Sequence, residues 1–567
     1  MTGVPVLERP AGPARPEPGP GRVRRRAGRR GWTALVLVAA GFAVLPVLAV
    51  AAGALTPDRA VWAQLWSTVL PRMIGTTLAL MALVAAGTLV LGAGLAWLVS
   101  AYRFPGSRMF SWLLVLPLAM PAYILGFVYL ALFDFPGPVQ TGLRAAFGPD
   151  VWFPEVRSVP GAAVVLSLTL FPYVYLLGRA ALWEQAPATY EAARTLGAGH
   201  GRAGLRVVLP LARPSLAAGL ALVLMETLTD FATVSYFNVQ TVSVGVYQVW
   251  KGQFDREAAT GLVGIVLLFA FLVIAGERWL RGRARYHQAG GAGRGLPRVR
   301  LTGARGWAAT GVCTAVLAAA FGLPVAQLLW WAGAELSREG AGLLDSRYAG
   351  YLGNSLTLGV TAAVGCAVIG FLVAHGVRMA GGRVTAAAAQ LTSVGYAVPG
   401  VVVAIGVLVA FAALDATLEG LGVPGGTGLV VTGSLLGLGY AYVVRFLALG
   451  YQSIDASFAK VSPAMTASAL CLGASPARLI GRVHLPLVRT GVGTALVLVT
   501  IDALKELPIV LLLRPFGFDT LSVWTYQLAA ESRWQSAALP ALTIVAAALV
   551  PVLLLVGRRW RGRVAAR

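Results

Sequence analysis

The sequence is poor in the residues that metal sites and disulfide frameworks require. It holds three cysteines and four histidines among 567 residues. Cys313, Cys366 and Cys471 lie far apart, so no disulfide framework or metal-binding spacing follows, and we expect each of them to be a small buried side chain. The histidines fall near the ends of apolar segments, where we expect them to act as helix-end cations.

The sequence also lacks the motifs of nucleotide-binding enzymes. No Gly-Lys dipeptide occurs, which excludes a phosphate-binding P-loop. Gly199, Gly201 and Gly204 do spell G-x-G-x-x-G, but no strand precedes them, and we interpret them as a glycine-bearing helix junction rather than a dinucleotide site. Because no His-rich cluster, nucleophile-base pair or cofactor motif is found, we predict that the chain is not an enzyme and binds no cofactor.

Charged residues are scarce as well: they make up 12% of the chain, whereas 57% of it is hydrophobic. A fold of this size could not cover itself with polar surface, which excludes an ordinary soluble protein. Many apolar stretches of about 20 residues are each long enough to cross a bilayer as a helix. We therefore predict an all-α membrane protein with about twelve transmembrane helices. The predicted spans are Trp32–Leu55, Gly75–Ser100, Phe110–Leu132, Pro160–Leu182, Leu211–Phe231 and Ala259–Leu280, then Trp307–Trp331, Ser355–Val377, Ala386–Leu414, Leu429–Leu449, Val492–Leu513 and Leu539–Val556.

Most of the positive charges lie outside these spans. The net charge is +23, and arginines cluster within residues 22–30, 281–305 and 558–563. An even number of spans in each half puts all three clusters on one side, which the positive-inside rule identifies as the cytoplasm. We predict cytoplasmic N- and C-termini in a bacterial inner membrane, with the lipid bilayer rather than nucleic acid as the partner of the basic segments.

The arginine clusters and the spans together predict five segments. A proline- and arginine-rich start reads as a disordered arm rather than a cleaved signal peptide, because the apolar stretch that follows is long enough to span. A glycine-rich stretch reads as a linker between the two halves. The predicted segments are a basic arm (1–30), a first six-helix repeat (31–280), a cytoplasmic linker (281–305), a second six-helix repeat (306–557) and a basic tail (558–567).

An internal repeat relates the two halves, which we expect to have the same membrane orientation around one pathway. Between the fourth and fifth spans runs E-A-A, three residues, glycine, nine residues, and an aliphatic-x-Leu-Pro element. The same spacings recur 276 positions later, where alanine replaces the glutamate. Glycine lets the backbone turn between two short helices, and proline is tolerated in the first helical turn that follows. The matched residues are Glu191, Ala192, Ala193, Gly197, Leu209 and Pro210 in the first copy, and Ala467, Ala469, Gly473, Leu485 and Pro486 in the second.

This pattern resembles the cytoplasmic coupling loop of binding-protein-dependent ABC importer permeases. The resemblance implies that each loop docks on one of two separate ATP-binding cassette subunits, which hold ATP and Mg²⁺. It also implies an extracytoplasmic substrate-binding protein that delivers the cargo. The first copy matches fully, whereas the second has Ala467 at the position of Glu191. The second loop therefore lacks the carboxylate for a charge contact with its ATPase subunit. A plain helix-turn-helix between spans is the alternative.

Two further runs resemble the ferric iron importer permeases. They are Lys505-Glu506-Leu507-Pro508 and the segment from Leu513 to Leu521, which reads L-R-P-F-G-F-D-T-L and belongs to the second half alone. The resemblance implies that the cargo is Fe(III). Related permeases that carry thiamine, phosphonate, sulfate or polyamine remain alternatives.

Charged residues inside or beside the fifth spans are candidates for lining the pathway. An unpaired charge at the membrane centre costs at least about 2.5 kcal/mol, so such residues are expected to face the bundle interior. Oxygen donors suit a hard cation, although a packing role is the alternative and no residue is assigned as a metal ligand. The candidates are Glu226, Asp230, Asp502, Lys505, Glu506, Arg514 and Asp519.

Two other classes of protein would share some of these features. A secondary transporter with two parallel six-span halves has the same span count, and these carboxylates could then couple transport to protons. It has no need of duplicated docking loops, which favours the ATP-driven importer. A membrane-embedded enzyme is disfavoured by the missing catalytic motifs.

Overall fold

The computed structural model describes residues 20–55, 59–184, 187–250, 256–281, 298–339, 346–423, 427 and 433–564. These residues are helical almost throughout, which confirms the predicted all-α class. The first half contains α1 Pro20–Leu55, α2 Arg59–Thr68, α3 Leu70–Ala101, α4 Ser107–Leu113, α5 Ala122–Phe133, α6 Pro138–Phe147, α7 Val159–Glu184, α8 Pro187–Thr195, α9 His200–Ala203, α10 Leu209–Thr229, α11 Ala232–Tyr236, α12 Val242–Gln248 and α13 Arg256–Arg281.

The second half repeats this order. It contains α14 Gly303–Leu317, α15 Leu323–Glu339, α16 Ser346–Ala380, α17 Arg383–Leu391, α18 Gly400–Gly420, α19 Leu435–Phe458, α20 Pro463–Cys471, α21 Pro476–Arg478, α22 Leu485–Lys505, α23 Pro508–Leu513, α24 Leu521–Ala530 and α25 Trp534–Val564. In the described part of the chain the strands are one short parallel pair, β1 Tyr102–Arg103 and β2 Val299–Arg300, which ties the end of the interhalf linker to the turn after α3.

Among the described residues, ten helices are long and apolar enough to cross a membrane by length and composition. They correspond to ten of the twelve predicted spans. The two others are the 24-residue helix α19 and α25, whose apolar part Trp534–Val550 is shorter. Much of the predicted basic arm and of the linker lies outside the described residues, although α1 already begins at Pro20.

Three predicted spans are broken rather than continuous. The span Phe110–Leu132 is interrupted by a 3-10 turn at Leu116–Ala119 before α5 begins behind Pro121. The equivalent span in the second half breaks in the same way, with a 3-10 turn at Val394–Ala397 and α18 beginning behind Pro399. The third, Val492–Leu513, is interrupted between α22 and α23. Proline lacks a backbone N–H and cannot continue the helix it follows, which explains why all three breaks lie at prolines.

The first helix of each half packs against the opposite half. Helix α1 contacts α16, α17 and α18, and its Phe42 carbonyl accepts a hydrogen bond of 2.7 Å from the Tyr440 hydroxyl. Helices α14 and α15, which a π-helical segment at Ala318–Gly322 joins, contact α4 and α5 of the first half. The carbonyl of Ala319 in this segment accepts a 2.9 Å hydrogen bond from the Tyr129 hydroxyl. The two halves are therefore interlocked rather than merely adjacent.

The repeat also brings equivalent helices into equally close contact. A Cβ on Gly92 of α3 would lie 2.8 Å from the carbonyl oxygen of Phe171 in α7. A Cβ on Gly370 of α16 would lie 2.8 Å from the backbone nitrogen of Tyr451 in α19. Small residues at such positions let helix backbones approach, which is how helices associate in lipid.

Two expectations for the rare side chains are wrong. Cys313 and Cys366 are buried as predicted, but Cys471 is exposed because it ends α20 at the tip of a loop. His375 and His484 are buried and face each other with 2.8 Å between their Nδ1 atoms, instead of extending as helix-end cations. His287 and the His200 side chain lie outside what the structure describes.

Candidate functional site

A cavity of about 150 Å³ lies between the two halves, and we name it the central cavity. Both copies of the fifth span end at its wall, α10 from the first half and α22 from the second. It encloses five of the seven charged residues that the sequence nominated for the pathway. Its charged lining residues are Glu226, Asp230, Arg445, Asp502, Lys505 and Glu506.

The four carboxylates of the central cavity form two pairs of repeat-equivalent positions. Glu226 corresponds to Asp502, and Asp230 corresponds to Glu506, both at the displacement of 276 found in the sequence. Each half thus contributes one acidic residue within its fifth span and one just after it. The carboxylates of the two halves therefore meet at one cavity from equivalent positions of the repeat.

Asp230 and Glu506 hold the start of the short helices that follow. Oδ1 of Asp230 accepts a hydrogen bond of 2.8 Å from the Thr233 backbone N–H, and its Oδ2 accepts one of 2.6 Å from the Thr233 hydroxyl. Oε1 of Glu506 accepts a longer bond, 3.4 Å, from the Ile509 backbone N–H. Carboxylates are favourable at helix N-termini, where backbone N–H groups lack partners. Helices α10 and α22 thus both end at the cavity, and each is followed there by a short helix.

Lys505 lies beside Asp502 on the last turn of α22. Its Nζ is 2.7 Å from Oδ1 of Asp502, a spacing of three residues along the helix. The equivalent of Lys505 in the first half is Thr229, so the ion pair belongs to the second half only.

Arg445 is the cavity residue that the sequence reasoning missed. It lies on α19 and is almost fully buried, and its Nη1 donates to the carbonyls of Val398 at 2.5 Å and Tyr396 at 3.1 Å. Its Nη2 is 4.0 Å from Oε1 of Glu226 in the other half. A lone arginine inside a predicted apolar span was the available signal, because such a residue is costly in lipid and marks an interior site.

The two halves contribute equivalent acidic residues to the central cavity, but only the second half contributes basic residues. Arg445 corresponds to Thr169 in the first half, as Lys505 corresponds to Thr229, and all four residues line the cavity. Four carboxylates against two cations give a formal charge of minus two. The buried Tyr123 hydroxyl also reaches this wall, and within the described residues it has no hydrogen-bond partner.

Arg514 and Asp519 lie outside the central cavity. They form an ion pair with each other across the turn between α23 and α24. Asn354 donates a 2.9 Å hydrogen bond to the Asp519 carbonyl and so holds this turn against α16. Phe516 at its tip is fully exposed. This turn is a surface feature, separate from the cavity that the other candidates line.

The repeated motif forms two loops of the same geometry at one end of the bundle, which we name loop A (residues 187–210) and loop B (residues 463–486). In loop A the N–H of Ala198 donates to the Ala193 carbonyl at 3.0 Å and Gly197 has φ of +85°. In loop B the N–H of Ala474 donates to the Ala469 carbonyl at 3.0 Å and Gly473 has φ of +78°. This bond pattern with a left-handed glycine is the Schellman helix end, so the residues that the sequence matched also match in conformation.

Each loop exposes a leucine that the sequence reasoning missed. Leu196 precedes Gly197 and Leu472 precedes Gly473, and both side chains are 88% exposed. The repeated Leu-Gly dipeptide was the signal that could have revealed them. Glu191 and Ala192 are exposed on the same short helix as the turn, and so is Ala467 on its counterpart. The two loops thus expose the same apolar side chain at the same position of the turn.

The two loops are held to the bundle by different chemistry. In loop B the His484 ring bonds to the Thr466 hydroxyl at 3.0 Å and to His375 of α16. In loop A the equivalent contact is apolar, because Trp97 lies so close to Gly204 that a Cβ there would come within 2.5 Å of its ring. Among the described residues, no group of three or more His, Cys, Asp or Glu side chains could hold a metal ion.

Comparison with known proteins assigns these features to one family. A family model described as "Binding-protein-dependent transport system inner membrane component" matches residues 89–286, which include loop A and α10. The Fe(3+)-transport system permease protein FbpB 2 of Haemophilus influenzae is 27% identical to the chain over 492 residues, which is 86% of this chain and 90% of that protein.

Two shorter relatives match part of the chain. The sulfate transport system permease protein CysT of Salmonella typhimurium is 30% identical over 232 residues, covering 39% of this chain and 82% of that protein. The molybdenum transport system permease protein ModB of Escherichia coli is 28% identical over 199 residues, covering 34% of this chain and 85% of that protein. Each of these relatives has the length of about one half of the chain described above.

Proposed function

Because the chain belongs to the family of binding-protein-dependent transport system inner membrane components, an ABC importer permease family, we propose that it forms the complete translocation pathway for ferric iron. The observation that carries this proposal is the central cavity, which both halves build from repeat-equivalent carboxylates. A relative that matches 86% of the chain is a Fe(3+)-transport system permease protein, which supports the choice of cargo.

The chemistry of the central cavity favours a cation. Its formal charge of minus two attracts positive charge, and carboxylate oxygens are the donors that hard cations prefer. Asp230 and Glu506 already accept hydrogen bonds from the helices they cap, which limits their basicity toward an ion. A pathway that attracts iron without enclosing it in a full ligand set lets the ion leave, as conduction requires.

A tetrahedral oxyanion is the second candidate cargo. Arg445 and Lys505 supply two cations to the cavity, and guanidinium groups suit oxyanions. Sulfate and molybdenum permeases are among the relatives. Both cations, however, already contact carboxylates, Arg445 at 4.0 Å and Lys505 at 2.7 Å, so neither is available to an anion without breaking an ion pair. This ranks the oxyanion second.

Uptake of radioactive iron and of sulfate by cells that depend on this chain distinguishes the two cargoes. We expect iron uptake, and we expect it to fall at least about tenfold in a Glu226→Gln, Asp502→Asn double variant, because both pseudo-equivalent acids of the fifth spans are then neutral. A Glu155→Gln, Glu419→Gln variant on exposed segments is the matched control and should transport normally. Sulfate uptake in place of iron uptake would contradict the proposal.

We assign loops A and B to the docking of two separate ATP-binding cassette subunits on the cytoplasmic side, with both chain termini on that same side. Support comes from the duplicated Schellman turns and from the exposed Leu196 and Leu472. In this scheme closure of the ATPase pair moves the two loops together, the movement passes through α10 and α22, and the cavity at the ends of these helices opens outward. An extracytoplasmic binding protein then releases iron into it.

A secondary transporter is tested by the energy source. Vesicles that contain the purified chain with its ATPase subunits and binding protein should take up iron only when ATP is present on the side of the membrane that carries the ATPase subunits. Uptake by the chain alone, driven by a proton gradient, would contradict the ATP-driven mechanism. Protease protection of tags on the two termini tests the proposed sidedness, since both tags should be cut from the cytoplasmic face only.

A further inference from the structure

A second cavity, of about 330 Å³, lies between α3, α7 and α10 at the end of the bundle that carries loop A. We name it the lateral cavity. It opens at the bundle surface, where Gly94 and Leu209 are exposed, and its lining carries no charged side chain. Its floor consists of small residues, notably Ala93, Gly178 and Gly204. All three helices lie in segments that are long and apolar enough to cross a membrane, so an opening between them is within reach of lipid chains.

The second half shows what normally fills this space. The equivalent positions lie 278 residues further along for α3 and 276 residues further along for α7 and α10. Most of them carry larger side chains, with Phe371 in place of Ala93, Ile454 in place of Gly178 and Ile480 in place of Gly204. These side chains pack together in one apolar cluster with Phe458 and Val488, which replace Leu182 and Ala212. The same architecture is thus filled by protein atoms in one half and left open in the other.

An open apolar cavity that faces a membrane is occupied by whatever apolar chain can reach it, because empty space forfeits dispersion contacts. The lateral cavity holds roughly the volume of eleven water molecules at about 30 Å³ each, but its lining offers too few polar partners for water. A flexible hydrocarbon chain is therefore its natural occupant.

The charges around the cavity indicate which lipid supplies that chain. Arg202, Arg206 and Arg213 are exposed on the segment whose residues 201, 204, 208, 209 and 212 line the cavity. In the orientation proposed above, they would lie at the cytoplasmic edge of the membrane. Arginine pairs well with phosphate, and anionic headgroups are attracted to such basic borders.

We propose that the lateral cavity is a binding site for one anionic phospholipid, whose acyl chain occupies the space between α3, α7 and α10 and whose headgroup phosphate contacts the arginines beside loop A. The second half carries arginines at all three equivalent positions, namely Arg478, Arg482 and Arg489, but its own apolar side chains pack together in the equivalent space. The site therefore belongs to the first half alone.

Native mass spectrometry of the full-length chain in detergent, with added palmitoyl-oleoyl phosphatidylglycerol, tests the proposal. Gly94→Leu installs the residue found at the equivalent position 372, and a Cβ at Gly94 meets no atom within 4 Å, so the variant is expected to fold. We expect it to retain phosphatidylglycerol at least about fivefold less than the unaltered chain. Gly75→Leu, at the far end of α3 and equally unobstructed, is the matched control and should bind normally.

The headgroup is tested by charge. Neutralising Arg202, Arg206 and Arg213 to glutamine should lower phosphatidylglycerol retention to the level of phosphatidylcholine. The same change at Arg478, Arg482 and Arg489 should leave the tightly held lipid in place, since apolar side chains of the second half itself pack in the equivalent space. Equal loss in both triple variants, or equal retention by Gly94→Leu and the unaltered chain, would overturn the proposal.

Cross-linking of lipid to the unaltered chain tests the same site without any substitution, so its result does not depend on whether a variant folds. Phosphatidylglycerol with a photoactivatable group near the middle of its acyl chain should label peptides that contain Trp97, Gly178 or residues 201–216. Adducts confined to other helices would show that the lipid lies elsewhere and would likewise overturn the proposal.

Discussion

Arg445 joins the two halves through one side chain. Its guanidinium donates to carbonyls of the 3-10 turn before α18 and faces Glu226 of the opposite half. Those carbonyls are free because the turn and Pro399 interrupt the helix, so the arginine satisfies backbone groups that lipid could not. The residue therefore fixes the shape of the cavity wall as well as its charge.

Replacing Arg445 by methionine should lower the free energy of unfolding by about 2 kcal/mol, since it leaves buried carbonyls without donors. Arg445→Lys keeps the charge but cannot reach several carbonyls at once, so it should recover only part of this loss. Thermal unfolding of the detergent-solubilised chain measures both variants. Thr169→Val at the equivalent position is the control, and an Arg445→Met chain as stable as the control would show that the carbonyl contacts do not matter.

The ion pair between Asp502 and Lys505 should also contribute to the stability of the chain. Asp502→Asn or Lys505→Met alone leaves one unpaired charge beside the membrane interior, whereas the double variant leaves none. We therefore expect each single variant to lower the melting temperature more than the double variant does. A double-mutant cycle by thermal unfolding measures the coupling, and strictly additive losses would mean that the 2.7 Å contact contributes nothing.

Among the structural elements, loops A and B act through backbone geometry. Gly197 and Gly473 adopt left-handed φ values that side chains disfavour, yet a Cβ on either would meet no atom within 4 Å. A substitution there would act by changing the turn and not by a steric clash. The direction of the short helix in each loop therefore depends on a single glycine, Gly197 in loop A and Gly473 in loop B.

Gly197→Val and Gly473→Val should each uncouple ATP hydrolysis from iron uptake, because the strained turn, costing about 1–2 kcal/mol, misplaces the docking helix. Gly199→Val and Gly481→Val are matched controls, since neither glycine has a left-handed φ and both have the same open surroundings. Uptake and ATPase activity of the reconstituted complex are measured together. Normal coupling in both turn variants would contradict the role assigned to the loops.

The exposed leucines give a separate test of docking. Leu196→Asp and Leu472→Asp should weaken retention of the ATPase subunits on the permease at least about tenfold, because an apolar anchor becomes charged. The chain itself should keep its melting temperature, since both side chains are 88% exposed. Copurification and thermal unfolding separate the two effects. Unchanged copurification of the ATPase subunits with the double variant would exclude these leucines from the interface.

At the scale of the whole molecule, the two halves depend on each other for their cores. Helix α1 packs on α16, α17 and α18 of the second half, and α14 and α15 pack on the first. Two shorter related permeases match 39% and 34% of the chain, so each of them corresponds to no more than one of its halves. Fusion ensures that the two unlike halves meet in the correct pairing.

A chain cut within residues 282–297 should still assemble when both fragments are expressed together, because the interlocking helices do not require the linker. We expect the fragments to copurify through a tag on either one. Omitting residues 1–58 from the first fragment should reduce the yield of the folded second fragment severalfold, since α16–α18 then lose their apolar neighbour. Deleting residues 1–19 alone is the control. Unimpaired folding without α1 would contradict the interlocked arrangement.

The amino-acid sequence determined the features that depend on local chemistry. Its apolar stretches required helices in lipid, its prolines and glycines punctuated them, and the repeated spacing around Gly197 and Gly473 predicted two loops that do share one backbone geometry. The acidic residues of the fifth spans were also identifiable, because charge inside an apolar segment is costly wherever the segment packs.

Tertiary structure alone decided which residues meet. Arg445 and Glu226 come together from different halves, α1 crosses to helices more than 300 positions away, and Arg514 lies outside the cavity although Lys505 lines it. The same holds for the lateral cavity, which exists in one half because several small residues on three helices coincide. Helical periodicity specifies a face of each helix but not its neighbour, so these contacts follow from packing between distant segments.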